Sequence, residues 1–374
     1  MRPFATQCWR AIVSIRTRKR FRLGCGVPSR HAIAATIVIG LLAQWGCASK
    51  PGELFAFEGE RPAWPMPPEQ PRVRYLGELR QDKDLKPGRS AMEGLRAVLF
   101  GRTPPQEMIR PLGVCTDGAD RVFVVDSAAA VVHVFDLAKR TYARWSPPEG
   151  YPEFGSPVAV AWDNRGRLLV CDSSAQMLFV FDSHGVLLGT LGEGFLVRPC
   201  GVAIDAERDR VLVVDSALHQ VVVMSSDGTE IGRIGRRGTG HGEFNFPTSI
   251  TLGENGRMFV SDSLNFRVQV LDAGGTFLGQ IGRKGDLPGY FSQPKGVALD
   301  PDGHVYVVDA NFEAVQLFQQ DGTLLMTFGH EGHGPGEFWL PVGIHIDANA
   351  RVWIADSYNR RVQVFEYLGQ GDQQ

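Results

Sequence analysis

Residues 247–281 read PTSITLGENGRMFVSDSLNFRVQVLDAGGTFLGQI. Four apolar, β-branched runs (247–250, 258–262, 268–271 and 277–281) are separated by short turns of Gly, Asp and Asn. Runs of this length and composition between such turns are strands. One four-stranded unit cannot bury its own faces, so the decisive question is whether it recurs. It does. Segments open at Pro111, Pro157, Pro199, Pro247, Pro294 and Pro341, at intervals of 46, 42, 48, 47 and 47 residues. In each, a second run closes on an Asp: 126, 172, 215, 262, 309 or 356. A third run follows, and a fourth in five of the six segments. Four strands per unit of about 40–50 residues is the pattern of a propeller blade. The predicted fold is all-β: a six-bladed β-propeller of four-stranded blades over residues 71–366. A β-sandwich would give no reason for the period.

The sixth unit stops after its third strand, near Phe365. The remaining strand-like run upstream is RVRYLGEL (72–79), and it is assigned the missing strand, which closes the ring and removes the open sheet edge. Residues 90–100 begin with a capping-box pattern, Ser90 to Glu93, and predict one short helix before blade 1.

Outward from the repeats, the chain has 374 residues, 43% hydrophobic and 21% charged, with 44 glycines. The net charge of −2 hides an asymmetry. Residues 1–46 carry eight Lys and Arg and no acid, and the rest is acidic overall, which argues against a general nucleic-acid binder. The basic start leads into an uncharged apolar run (32–43) and a small-residue exit at Gly46-Cys47. Those are the parts of an export signal over 1–46, too short to span a membrane. Gly46-Cys47 resembles the end of a bacterial lipobox, which implies lipidation of Cys47 and a place in the cell envelope. Residues 47–70 hold Pro51, Pro62, Pro65, Pro67 and Pro68 and read as an extended tether, and 367–374 as a tail. Beyond Cys47, the thiols Cys115, Cys171 and Cys200 form no C-x-x-C and read as free, a Cys115–Cys171 bridge being the alternative.

DSLNFRVQV (262–270) and DSYNRRVQV (356–364), with GEF at 242–244 and 336–338 before the opening Pro, resemble NHL repeats. The resemblance covers roughly residues 71–365 and thins in repeats 1–3, where Val131, Met177 and Gln220 stand in place of the Arg. It implies a six-bladed propeller and, for most of the family, binding of proteins or RNA. More distantly it implies propeller lyases of the peptidyl-hydroxyglycine type and gluconolactonase-like hydrolases, which hold metals around the central channel.

The repeated Asp reads as structural, because an Asp closing a strand accepts hydrogen bonds from the next turn. In a four-stranded blade, the turns between strands two and three and the blade-to-blade connections share one face of the disc. That face carries Arg236, Arg237, Arg283 and Lys284 on connections, with Arg267, Arg361, Asn265 and Asn359 on turns. It is the candidate binding face for a protein or an anionic glycan. His345 occupies a position held elsewhere by Cys115, Ala161, Ala203, Thr251 and Ala298, either lining the channel or within the core. His345, His330, His333 and His241 are the candidate metal ligands if the chain is instead a metal-dependent enzyme. The leading expectation is a monomeric, non-enzymatic binding module with no cofactor.

Overall fold

The structure, a computed structural model, describes residues 52–86 and 104–369. The expected export signal, Cys47, the helix at 90–100 and the end of the tail lie outside them. Six antiparallel sheets follow one another around a central channel. Blade 1 comprises Pro111–Thr116, Arg121–Asp126, Val131–Asp136 and Thr141–Trp145, from channel to rim. Blades 2–5 repeat the order, opening at Pro157, Pro199, Pro247 and Pro294. Among the described residues there is no α-helix, only three 3-10 turns.

Each blade's second strand is buried along nearly its whole length, and its third strand nearly so; its outermost strand is half-exposed. The reason is stacking. Each of the six apolar clusters straddles one blade-to-blade seam, as where Phe123 and Val125 of blade 1 meet Phe179 and Phe181 of blade 2. A middle strand is therefore covered on both faces and reads as a continuous apolar run. Each fully buried Val, Leu or Phe contributes about 1.5–3 kcal/mol.

The inner strands are built differently. Their register slips just after each opening Pro, a β-bulge in all six blades. Two residues after the Pro stand Gly113, Ala159, Gly201, Ser249, Gly296 and Gly343. Neighbouring inner strands approach closely there: a Cβ on Gly343 would lie 2.3 Å from Leu112 O, and one on Gly296 2.6 Å from Val342 O.

The ring closes as expected. Val73–Leu79 pairs with Arg361–Tyr367, Val73 opposite Tyr367 and Leu79 opposite Val362, supplying blade 6 with its outer strand. The tether expectation is corrected over residues 52–70. Ala63–Trp64 adds a fifth strand beside Val73 and Arg74. Trp64 packs on Phe328 and Phe365, Phe57 on Tyr75, and Phe55 on Trp353. The Arg61 guanidinium donates to the Leu76 and Phe55 carbonyls. The prolines forbid long regular pairing, but these aromatics gain more by covering the closing strand than by remaining in water.

Candidate functional site

The polar residues of the repeat are mostly consumed in holding it together. Asp126 accepts the N–H groups of Ile109 and Arg110 before the opening Pro and of Ala128 and Ala129 in the turn after it. Asp172, Asp215 and Asp309 do the same in their blades. The Ser after the Asp reaches the next blade: Ser173, Ser263 and Ser357 donate to the carbonyls of Pro199, Pro294 and Pro111. Gln269 and Gln363 bind the connection backbone at Gly242 and Glu243, and at Gly336 and Glu337.

Arg267 and Arg361 belong to this network, which corrects their expected place on an open face. Arg361 is 1% exposed. Its guanidinium binds Asp356 at 2.7 Å and Glu78 at 2.8 Å, and donates to the carbonyls of His333, Gly334 and Glu337. Arg267 binds Asp262 at 2.9 Å and the carbonyls of Gly240 and Glu243. Asn265 and Asn359 donate to Gly238 O and Gly332 O and to the same carboxylates. Five rigid donors suit Arg to tying down a loop whose carbonyls have no strand partner.

Arg236, Arg237, Arg283 and Lys284 are exposed, as expected. Their charge is partly engaged: Arg236 pairs with Glu243 at 2.8 Å, Arg283 stacks on Tyr290, and Lys284 lies over Phe266. The four candidate histidines do not converge. His241 stacks on Phe277, His330 lies 3.6 Å from Glu337, His333 bonds Asn359, and His345 faces the channel. Among the described residues, no three His, Cys, Asp or Glu side chains are placed to hold one metal ion.

Two further features stand out, the first of them missed by the residue-type reading. The first lies on the connection face, beside the entries to the inner strands and the turns after the second strands. Ile109, Val197 and Trp339 each stand two residues before an opening Pro; Leu264 and Tyr358 each stand two after the strand-closing Asp. All five are large, apolar or aromatic, and 41–50% exposed. Trp339 and Tyr358 contact each other at 5.4 Å, and His333 meets Trp339 edge-on. Aligning residues two before each Pro finds Ile109, Val197 and Trp339 among Gly155, Asn245 and Ser292, and aligning those two after each Asp is needed for Leu264 and Tyr358.

The second is the channel, a cavity of about 400 Å³ between the inner strands. Its wall is small or apolar except for Thr248, Ser249, Thr251, Lys295, His345, Thr116 and the thiols Cys115 and Cys200. His345 bonds Thr116 Oγ1 at 3.0 Å, joining blade 6 to blade 1, and burial lowers its pKa to about 4, so it is neutral at pH 7. Burial pushes the Cys200 thiol up to about 12 and Cys115 and Cys171 higher than their ordinary values; all three are free and protonated. Among the lining residues there is no arginine, aspartate or glutamate, and Lys295 is the one lysine. Burial lowers its pKa below the ordinary lysine value, opposed by the Cys200 thiol and the Asp309 carboxylate.

Residues 291–314 match the model of the NHL repeat family, described as NHL repeat. The chain thus carries an NHL repeat within a six-bladed β-propeller. No curated protein matches it in sequence. Among solved structures it resembles a structural genomics protein of unknown function from Bacteroides thetaiotaomicron, with a TM-score of 0.57 and 17% identity over 70% of each chain. It also resembles virginiamycin B lyase from Staphylococcus aureus, with a TM-score of 0.52 and 13% identity over 69% of this chain and 94% of that one. An auxiliary nutrient binding protein from Bacteroides thetaiotaomicron gives 0.55 and 12%, over 70% and 69%. These likenesses concern the fold.

Proposed function

We propose that the propeller is a non-enzymatic binding module that takes a protein partner on its connection face, held at the cell envelope by a lipid on Cys47. The observation that carries this reading is the exposure of Ile109, Val197, Leu264, Trp339 and Tyr358, a rim of large apolar side chains on the connection face. Aromatic anchors with nearby arginines are what protein interfaces concentrate at their centres. Arg110, Arg198, Arg237 and Arg360 are exposed on the same face and suit steering of an acidic partner. The resemblance to auxiliary nutrient binding proteins agrees with a binding role. A glycan partner is disfavoured by the aliphatic members of the rim.

A photo-crosslinking side chain at position 358 should capture one discrete protein from intact cells; one at Val186, 59% exposed in a turn of the opposite face, should not. Trp339→Ala with Tyr358→Ala should weaken that capture about tenfold or more, since paired aromatic anchors carry about 2 kcal/mol or more. Cys47→Ser should move the protein from the membrane to the soluble fraction. Equal capture from both faces would overturn the assignment of the face, and unchanged fractionation the lipid anchor.

A further inference from the structure

We infer that the channel is a second site, one that binds a small monocarboxylate with an apolar body, its carboxylate on Lys295. The inference is independent of the partner proposed for the outer rim. Lys295 lies one residue after an opening Pro, where the other blades carry Leu112, Val158, Cys200, Thr248 and Val342. Five positions of a six-membered ring are thus uncharged, and one bears a cation. Among the described residues Lys295 Nζ has no ion pair or hydrogen bond. Asp309, the carboxylate whose charge acts on it, is occupied by the backbone N–H groups of Ser292, Gln293, Asn311 and Phe312.

The strand beside Lys295 is the polar one. In blade 4, Thr248, Ser249 and Thr251 are among the residues lining the channel, and Thr248 Oγ1 donates to Lys295 O at 3.3 Å. The Ser249 and Thr251 hydroxyls have no protein partner among the described residues. One cation and two spare hydroxyls therefore stand on adjoining strands, while Leu112, Val158 and Val342 make much of the rest of that end apolar. A partly buried cation with no partner is costly, and an anion offsets that cost. A single positive charge suits a monoanion; a phosphate dianion would call for further cations or an Arg fork. The apolar side accepts a hydrocarbon body. A volume of about 400 Å³ is within the range of small-ligand pockets.

The test is calorimetric titration of the purified protein with hexanoate, hexanol and inorganic phosphate. Hexanoate should bind at one site per chain, and the other two at least tenfold more weakly. Lys295→Met should abolish hexanoate binding, Lys295→Arg should retain it, and Ser249→Ala should weaken it several-fold. Because Lys295 lacks a partner, Lys295→Met should melt no lower than the parent without ligand, and this second measurement keeps a folding failure visible. Hexanoate binding unchanged in Lys295→Met, phosphate binding as tight as hexanoate, or a lower melting point for Lys295→Met would each overturn the proposal. Crosslinking at position 358 reads the outer face separately, so either site can fail alone.

Discussion

At the scale of the residue, Gly343 sets the tolerance of the ring. Its missing Cβ would sit 2.3 Å from Leu112 O, a backbone atom of blade 1 that cannot rotate aside. Gly343→Ala must therefore push two inner strands apart at the closing seam, and overpacking of this kind costs about 1–3 kcal/mol. Gly232, on an outermost strand, has nothing within 4 Å of a built Cβ. Gly232→Ala should change stability by no more than about 0.5 kcal/mol, of either sign. Urea unfolding of the two variants checks both, and equal effects would refute the argument from close approach. At the same scale, two arginines are buried where their type predicts exposure. Arg267 and Arg361 open their strands directly after a turn, where a charged residue ordinarily meets water, but the connection loops fold back over them and leave carbonyls that need donors.

At the scale of the element, the chain before blade 1 does two jobs. Val73–Leu79 supplies the last strand, burying Val73, Tyr75 and Leu79, and residues 52–70 cover its outer side with Phe55, Phe57 and Trp64. Removing residues 1–50 should leave the melting temperature unchanged. Removing 1–70 should lower it, because those three aromatics are lost and each is worth on the order of 1–3 kcal/mol. Removing 1–80 should expose the edge of Arg361–Tyr367 and drive aggregation. Differential scanning fluorimetry with light scattering separates the cases. Equal melting of the first two truncations would show that the docked segment contributes nothing. Its covering role was not legible in the prolines, since composition reports how stiff a segment is and not which surface awaits its aromatics.

At the scale of the whole molecule, the ring is acid-sensitive at its polar seams. Burial alone would raise the Asp126 pKa, but hydrogen bonds from His133 and from the N–H groups of Ile109, Ala129 and Arg110 prevail and hold it at about 2. A carboxyl lowered from 3.8 adds stability above its ordinary pKa and loses it as the pH falls toward 2, about 2 kcal/mol in all. His345 acts in a higher window. Its folded pKa is lowered from 6.5 to about 4, so the unfolded chain takes the proton first, and stability falls as the pH drops through that interval. The loss is at most about 3 kcal/mol, reduced where channel water reaches the ring. Urea midpoints measured across pH should fall in both windows, and His345→Gln should flatten the upper one. An unchanged upper window in His345→Gln would place its origin elsewhere.

The sequence by itself determined the blade count, the closing strand and the structural role of the repeated Asp. These follow from local rules: alternation of strands with Gly and Asp turns, a fixed period, and a last unit one strand short. Only the tertiary structure decided which polar side chains remain available. Burial of Arg267 and Arg361 under the connections, docking of Phe55 and Trp64 on the closing blade, the exposed apolar side chains of the connection face, and the lone Lys295 in the channel all arise from contacts between separate segments. Arg267 and Arg361 are tied to connection carbonyls 24–28 residues away, and Phe55 meets Trp353 from the far end of the described chain. No local pattern encodes that meeting, because each blade's environment is made by its neighbours.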